Sequence, residues 1–219
     1  MIIAIVGATG NLGRELVREG LRRGHVLRGV APHADPADFG GQAEMFRGSA
    51  GDTDVLLAAF RGADVVVTVF PASLTHPETY RAEVRHVLDA VKRSGVSRVI
   101  GLVGSSGALV NTGERLVNTD YFQETTRHYY LFVHGVWNLY REETELDWAA
   151  VVPAARMQTH LSSRGGVYRV RTDEHIVTTD PNSRRYFDVS QISYADCACA
   201  ILDEARDHRY SRTFFSVGY

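Results

Sequence analysis

The sequence predicts an α/β domain organised around a parallel sheet, and three observations carry that prediction. Apolar runs alternate with helical patterns five times between residues 2 and 103. Such alternation argues for parallel strands joined by right-handed helical crossovers. The longer runs (IIAIV at 2–6, VVVTVF at 65–70, RVIGLV at 98–103) are almost unbroken and rich in Val and Ile, as strands buried on both faces require. The first run then stops at Gly7 in GATGNLG, and a helical pattern opens directly behind it.

That junction carries the most chemistry. Gly7, Gly10 and Gly13 let the backbone turn sharply and admit a phosphate closely, with Thr9, Asn11 and Leu12 between them. Free amides and the positive end of the helix dipole meet negative charge at such a point. Strand, glycine turn and helix N-terminus in that order form the arrangement that holds a dinucleotide pyrophosphate. A turn needing glycine for geometry alone is the plainer alternative. Its place directly after a buried strand favours the nucleotide.

In chain order, residues 14–23 read as a helix with Leu16, Val17 and Leu21 on its apolar stripe, stopped by Gly24. Residues 25–31 are the second strand, ended by Pro32. Residues 33–43 form a loop or ragged helix, 43–47 a short third strand, and 48–52 a turn. A helix follows at 54–60, then the strand at 65–70. Pro71 opens a loop to His76, and 78–93 makes a helix before the strand at 98–103. Residues 108–122 form a long loop, and 123–144 one long helix rich in aromatics. A sixth strand spans 146–152. Beyond it the pattern is hairpin-like, with short strands at 167–170 and 176–179, then a helix at 193–206 and a strand at 213–217.

Composition narrows the field. The 219 residues suit one domain spanning 1–219, with no linker to a second. A formal net charge of −2 gives no electrostatic argument for nucleic acid or an anionic membrane surface. Lys92 is the only lysine. Cys197 and Cys199 lie two apart in a helical pattern and read as small core residues, because they face different ways. His25, His76, His160 and His175 lack metal-ligand spacing, so no metal is expected, and His128 reads as a half-exposed residue at the start of the long helix. No secretory signal pattern precedes the first strand and no apolar run has membrane-spanning length, which makes the cytoplasm the expected location.

By Gly104 the chain resembles the atypical short-chain dehydrogenase/reductases, the group with NmrA-like and biliverdin reductase B-like flavin reductases. The marks are Gly7-x-x-Gly10-x-x-Gly13, Gly24-His25, Gly62-Ala63-Asp64-Val65, GSSGAL at 104–109, Leu146-Asp147-Trp148, and the tail ISYADCACAILDE at 192–204. The resemblance implies a doubly wound Rossmann-like sheet with helices on both faces and a small C-terminal, substrate-side extension. It also implies NAD or NADP along the C-terminal sheet edge. Thr9 to Gly13 would lie at the pyrophosphate; Ala31, Pro32 and His33 at the adenosine ribose; Gly48 and Ser49 near adenine. Thr68 to Pro71, with Phe70 and Pro71 foremost, would flank the middle of the cofactor. Gly104, Ser105, Ser106 and Pro153 to Ala155, with Ala154 at the centre, would border the nicotinamide. Residues 108–122 and 154–192 would form the substrate-side loops.

Three positions depart from that pattern. Pro32 stands where many relatives have the Arg that grips a 2′-phosphate, which tilts the reading away from NADP, although His33 could partly replace it. Ser49 stands where relatives often have Asp, removing an acceptor for the adenine amino group. The proton-relaying Tyr-x-x-x-Lys is impossible here, since Lys92 lies in an earlier helix. Tyr130-x-x-x-His134 occupies the corresponding helix and could hold a ribose hydroxyl or relay a proton; otherwise both residues line a packed helix. Ser105 and Ser106 could bind a substrate carbonyl, or serve only as small turn residues. The aromatics of the long helix suit the core or a homodimer interface.

The expected function is therefore an NAD(P)H-dependent reductase acting on a small conjugated or carbonyl acceptor, such as a flavin, quinone or secondary-metabolite intermediate. Two alternatives stand beside it: a non-catalytic dinucleotide-binding redox sensor, and a redox-neutral isomerase or dehydratase on the same fold.

Overall fold

The structure is a computed structural model that describes residues 1–158 and 166–219; His160 lies outside the described residues. In chain order the elements are β1 (Ile2–Val6), α1 (Asn11–Arg22), β2 (Val26–Ala31), β3 (Glu44–Arg47), α2 (Thr53–Phe60), β4 (Val65–Thr68), α3 (Tyr80–Ser94), β5 (Arg98–Leu102), α4 (Glu124–Glu142), β6 (Asp147–Pro153), β7 (Arg156–Gln158), β8 (Arg169–Arg171), α5 (Tyr186–Val189), β9 (Gln191–Ser193), α6 (Tyr194–Asp207) and β10 (Thr213–Gly218). The main sheet runs β3-β2-β1-β4-β5-β6-β10-β8. Every pairing in it is parallel except β10 with β8. This is the doubly wound order, with the chain reversing direction across the sheet between β1 and β4.

Each central strand sends alternate residues into two separate cores, as a period of two dictates. Ala4, Val6, Val66 and Val99 meet α2, α3 and α4 through Leu56, Phe60, Val84, Leu88, Trp137 and Tyr140. Ile3, Ile5, Val65, Val67 and Ile100 meet α1 and α6 through Leu16, Val17, Cys197, Ile201 and Leu202. Neither cysteine forms a disulfide, both are buried, and burial pushes the Cys197 thiol up to about 12, so it stays protonated. Trp137 and Tyr140 belong to the core; Tyr129 and Tyr130 are only partly buried against it.

One expectation fails. The hairpin proposed between 167–170 and 176–179 does not form. Instead β8 pairs antiparallel with β10, with Arg169 opposite Gly218 and Arg171 opposite Ser216, and residues 176–179 are not a strand. Ile176 and Val177 are buried, and the Ile176 amide donates to the Leu109 carbonyl. Apolar burial between loops, rather than a sheet ladder, explains their composition. A second, unforeseen pair, β7 with β9, runs parallel beyond the end of β6. No described helix is long and apolar enough to cross a membrane.

Candidate functional site

The parallel strands deliver their C-terminal ends to one edge, and the glycine turn occupies the point on it where the chain reverses direction across the sheet. Gly7 has φ +95°, a conformation glycine adopts freely, and a Cβ there would lie 2.8 Å from the Phe70 amide nitrogen. A Cβ on Gly13 would lie 2.0 Å from the Gly7 carbonyl oxygen. Gly10 differs: it is exposed at the N-cap of α1, and its Cβ would approach nothing nearer than 3.4 Å. Packing thus demands glycine at 7 and 13, whereas glycine at 10 keeps clear the space above the helix end. No side chain caps α1, and its first turn carries no acid. An open cradle before uncapped amides fits a pyrophosphate. The Thr9 carbonyl, meanwhile, accepts Arg14 Nε at 2.9 Å.

Along the β2 and β3 ends, Pro32 and His33 are exposed. The nearby acids of the 33–42 loop close its own turns: Asp35 accepts the Ala37 amide and Asp38 accepts the Asp35 amide. Gly48 donates its amide to Ala31, and a Cβ there would press on Val55 at 2.8 Å. The Ser49 amide donates to Asp52 at 2.5 Å, and the Ser49 hydroxyl accepts the Gly51 amide. Arg47, which sequence reasoning missed, is exposed at the end of β3 and donates Nε to the Pro32 carbonyl at 3.3 Å. Phe70 stands edge-on to buried Tyr80 at 5.6 Å between centroids, and the Tyr80 hydroxyl donates to the Phe70 carbonyl. Pro71 beside it is exposed.

At the β5 end, Gly104 takes φ +72° and leads into a 3-10 turn over Ser105–Gly107. Ser105 is half-buried, while Ser106 is buried with no hydrogen-bond partner for Oγ. Trp137 and His134 pack beneath this turn so tightly that a Cβ on Gly107 would lie 2.4 Å from the Trp137 ring and 2.6 Å from His134 Nδ1. Burial first, then the nearby Arg115 and Arg141 cations, hold the His134 imidazole below its ordinary pKa, with Glu174 opposing. Tyr130 packs against Phe122 and Tyr129 with centroids 4.2 and 5.2 Å away. Among the described residues no hydrogen bond links Tyr130, His134, Ser105 and Ser106. Pro153 and Ala154 are buried at the end of β6. Ser190, another residue sequence reasoning passed over, accepts the Ala155 amide and donates to the Val177 carbonyl at 2.5 Å, stapling the strand end to the later loop.

Two arginines fasten the long loop. Arg115 donates to the Gly107 carbonyl and pairs with Glu174, which also accepts Arg141 at 2.9 Å. Both guanidiniums lie over the Trp137 ring. Outside this clamp lies a cavity of about 370 Å³, with Asn111, Asn118, Tyr121, Asn182, Arg184 and Tyr186 among its walls. The Tyr121 hydroxyl is enclosed and unpartnered, and burial raises its pKa. No described cluster of His, Cys, Asp or Glu is arranged to hold a metal ion.

Comparison with known proteins agrees with this geometry. Residues 7–205 match the model of an NAD(P)H-binding family. The uncharacterized protein YwnB of Bacillus subtilis (strain 168) is 25% identical over 99% of this chain and 98% of its own length. A structure from Bacteroides thetaiotaomicron, provisionally named an epimerase, superposes with a TM-score of 0.85 at 25% identity, covering 100% of this chain and 96% of that one. One from Streptococcus pneumoniae TIGR4, provisionally named an NADH-flavin reductase, gives 0.80 at 22% identity, covering 100% and 99%.

Proposed function

This chain belongs to the NAD(P)H-binding family matched over residues 7–205, and from that premise we propose that it is a reductase of small conjugated or carbonyl acceptors. The carrying observation is Gly10: packing does not require a glycine there, and its missing side chain leaves open the uncapped amides at the start of α1, where a pyrophosphate would sit.

In this reading Thr9, Gly10, Asn11, Leu12 and Gly13 hold the pyrophosphate, with Gly7 setting the turn. Pro32, His33, Gly48 and Ser49 border the adenosine. Phe70 and Pro71 flank the middle of the cofactor, and Gly104, Pro153 and Ala154 shape the nicotinamide pocket. When bound, the nicotinamide supplies the hydride. The protein contributes position and shelter. Ser105, half-exposed at the strand end, is the side chain best placed to donate a hydrogen bond to an acceptor oxygen; Ser106 reaches one only if the turn moves. His134 packs under the turn and Tyr130 against Phe122 and Tyr129, neither bonded to the serines, so in this reading solvent delivers the proton. A flavin or quinone suits this division, because its reduction needs no buried acid. The name carried by the Streptococcus pneumoniae structure points the same way.

The test mixes purified protein with NADH or NADPH and follows loss of the reduced nicotinamide absorbance against a panel of flavins, quinones and carbonyls. Turnover on a conjugated acceptor is expected. The missing hydrogen-bonded proton donor also favours a second reading, a dinucleotide-binding redox sensor. Tight binding without turnover on any acceptor would select it.

A further inference from the structure

The β2 end bears neither the arginine that grips a 2′-phosphate nor an acid to accept a free 2′-hydroxyl. The structure supplies a cation there from a neighbouring strand. Parallel pairing sets Ala31 beside Arg47, and Arg47 Nε donates to the carbonyl of Pro32, 15 residues away in sequence. A second guanidinium belongs to the first turn of α1. Arg14 donates Nε to Thr9 in the glycine turn, and its guanidinium carbon lies 5.8 Å from the centroid of the Phe39 ring. Phe39 reaches that place through a left-handed backbone, φ 56°, in the 33–42 loop.

Each arginine therefore spends only Nε on a carbonyl at the rim, and neither forms an ion pair among the described residues. The terminal nitrogens of both are available to an anion. Among the described residues no acid close by pairs with either of them. Asp35 and Asp38 accept amides of their own loop, Asp52 accepts Ser49, and Glu44 pairs with Arg28 nearer the start of the strands. Exposed His33 borders the same rim. Two guanidinium forks match a phosphomonoester better than a sugar diol, because a fork binds phosphate through paired, charge-assisted hydrogen bonds.

We propose that Arg47, with Arg14, forms a 2′-phosphate subsite that makes this protein prefer NADPH over NADH. The proposal rests on the reading that the glycine turn holds a dinucleotide. Arg47 lies outside that turn and outside the hydride-transfer end, so its loss removes selectivity and leaves the rest of the site intact.

The experiment titrates the protein with NADPH and with NADH, following fluorescence of the bound reduced nicotinamide, in wild type and in Arg47→Met. Adenosine 2′,5′-bisphosphate and 5′-AMP serve as competitors. NADPH should bind about ten- to a hundredfold more tightly than NADH, the range expected for charge-assisted hydrogen bonds. Arg47→Met should remove most of that advantage while NADH affinity changes less than about twofold, and the advantage of the bisphosphate over 5′-AMP should fall in parallel. Arg47→Lys should recover part of the advantage, since it restores charge without the fork. Equal affinity of wild type for both dinucleotides overturns the proposal. So does an equal loss of both in Arg47→Met. Binding of neither dinucleotide overturns the cofactor reading beneath it as well.

Discussion

The Cβ that Gly13 lacks would sit 2.0 Å from the carbonyl oxygen of Gly7, so the first helix and the first strand meet at van der Waals limits. Gly13→Ala must displace backbone, and we expect a destabilisation of about 3 kcal/mol or more, read as a lowered urea midpoint. Gly10→Ala has 3.4 Å of clearance and should leave the midpoint nearly unchanged while weakening dinucleotide binding. A Gly10→Ala variant that unfolds as readily as Gly13→Ala would show that the motif serves the fold alone.

Arg98, at the start of β5, pairs with Glu204 of α6 inside the protein, and Glu204 also accepts the Arg209 and Tyr210 amides. A buried charge left without its partner costs about 3–5 kcal/mol. Arg98 keeps a second partner in Asp147, 3.0 Å away, so Glu204→Leu should destabilise by less than that amount. The double variant Arg98→Met/Glu204→Leu should lose less than the sum of the two single changes. Additive losses in denaturant titrations would count against the pair.

The His134 imidazole is held below its ordinary value of 6.5 by burial and by Arg115 and Arg141. Above 6.5 it is neutral in both folded and unfolded chains and contributes no pH dependence. As pH falls through 6.5 the unfolded chain takes up a proton that the folded chain refuses, so stability declines until the lowered folded value is passed. Replacing His134 with Gln should flatten that decline. His25, also lowered by burial, remains as an internal reference. Asp173, held at about 2 by Arg171, acts only at more acidic pH. An unchanged profile in the variant would show that His134 titrates normally.

Tyr140 reaches through the sheet face to the position where Gly101 has no side chain: a Cβ there would lie 1.8 Å from the Tyr140 hydroxyl. Gly101→Ala should destabilise by about 2 kcal/mol or more, and Tyr140→Leu in the same chain should recover part of that loss. Failure of the second change to rescue the first would mean that backbone strain, and not the ring, sets the cost.

These contacts mark what could be read from the sequence and what could not. β1, β4 and β5 were legible because burial on both faces writes a continuous apolar run, and the glycine turn because strand, glycines and helix follow in sequence. Gly101 looked like any strand glycine, since its reason stands 39 residues away in Tyr140. Arg47 is, in the sequence, only the last residue of a short strand, and it is the β2–β3 register that sets it beside Ala31. The misplaced hairpin has the same origin: Val170 and Ile176 carry strand propensity, but β10 took one segment as its partner and loop packing took the other. Local pattern reports burial, whereas pairing partners are decided across the fold.

The central claim is that the glycine turn positions a nicotinamide whose hydride transfer needs no Tyr130–His134 relay. The direct measurement is single-turnover reduction of a conjugated acceptor at saturating reduced dinucleotide, comparing wild type with Tyr130→Phe/His134→Gln. A relay removed from the reaction path would slow the step by about a hundredfold or more. The account predicts a loss of less than about tenfold, with dinucleotide affinity unchanged. A hundredfold loss at unchanged affinity would contradict it and return both residues to the chemistry.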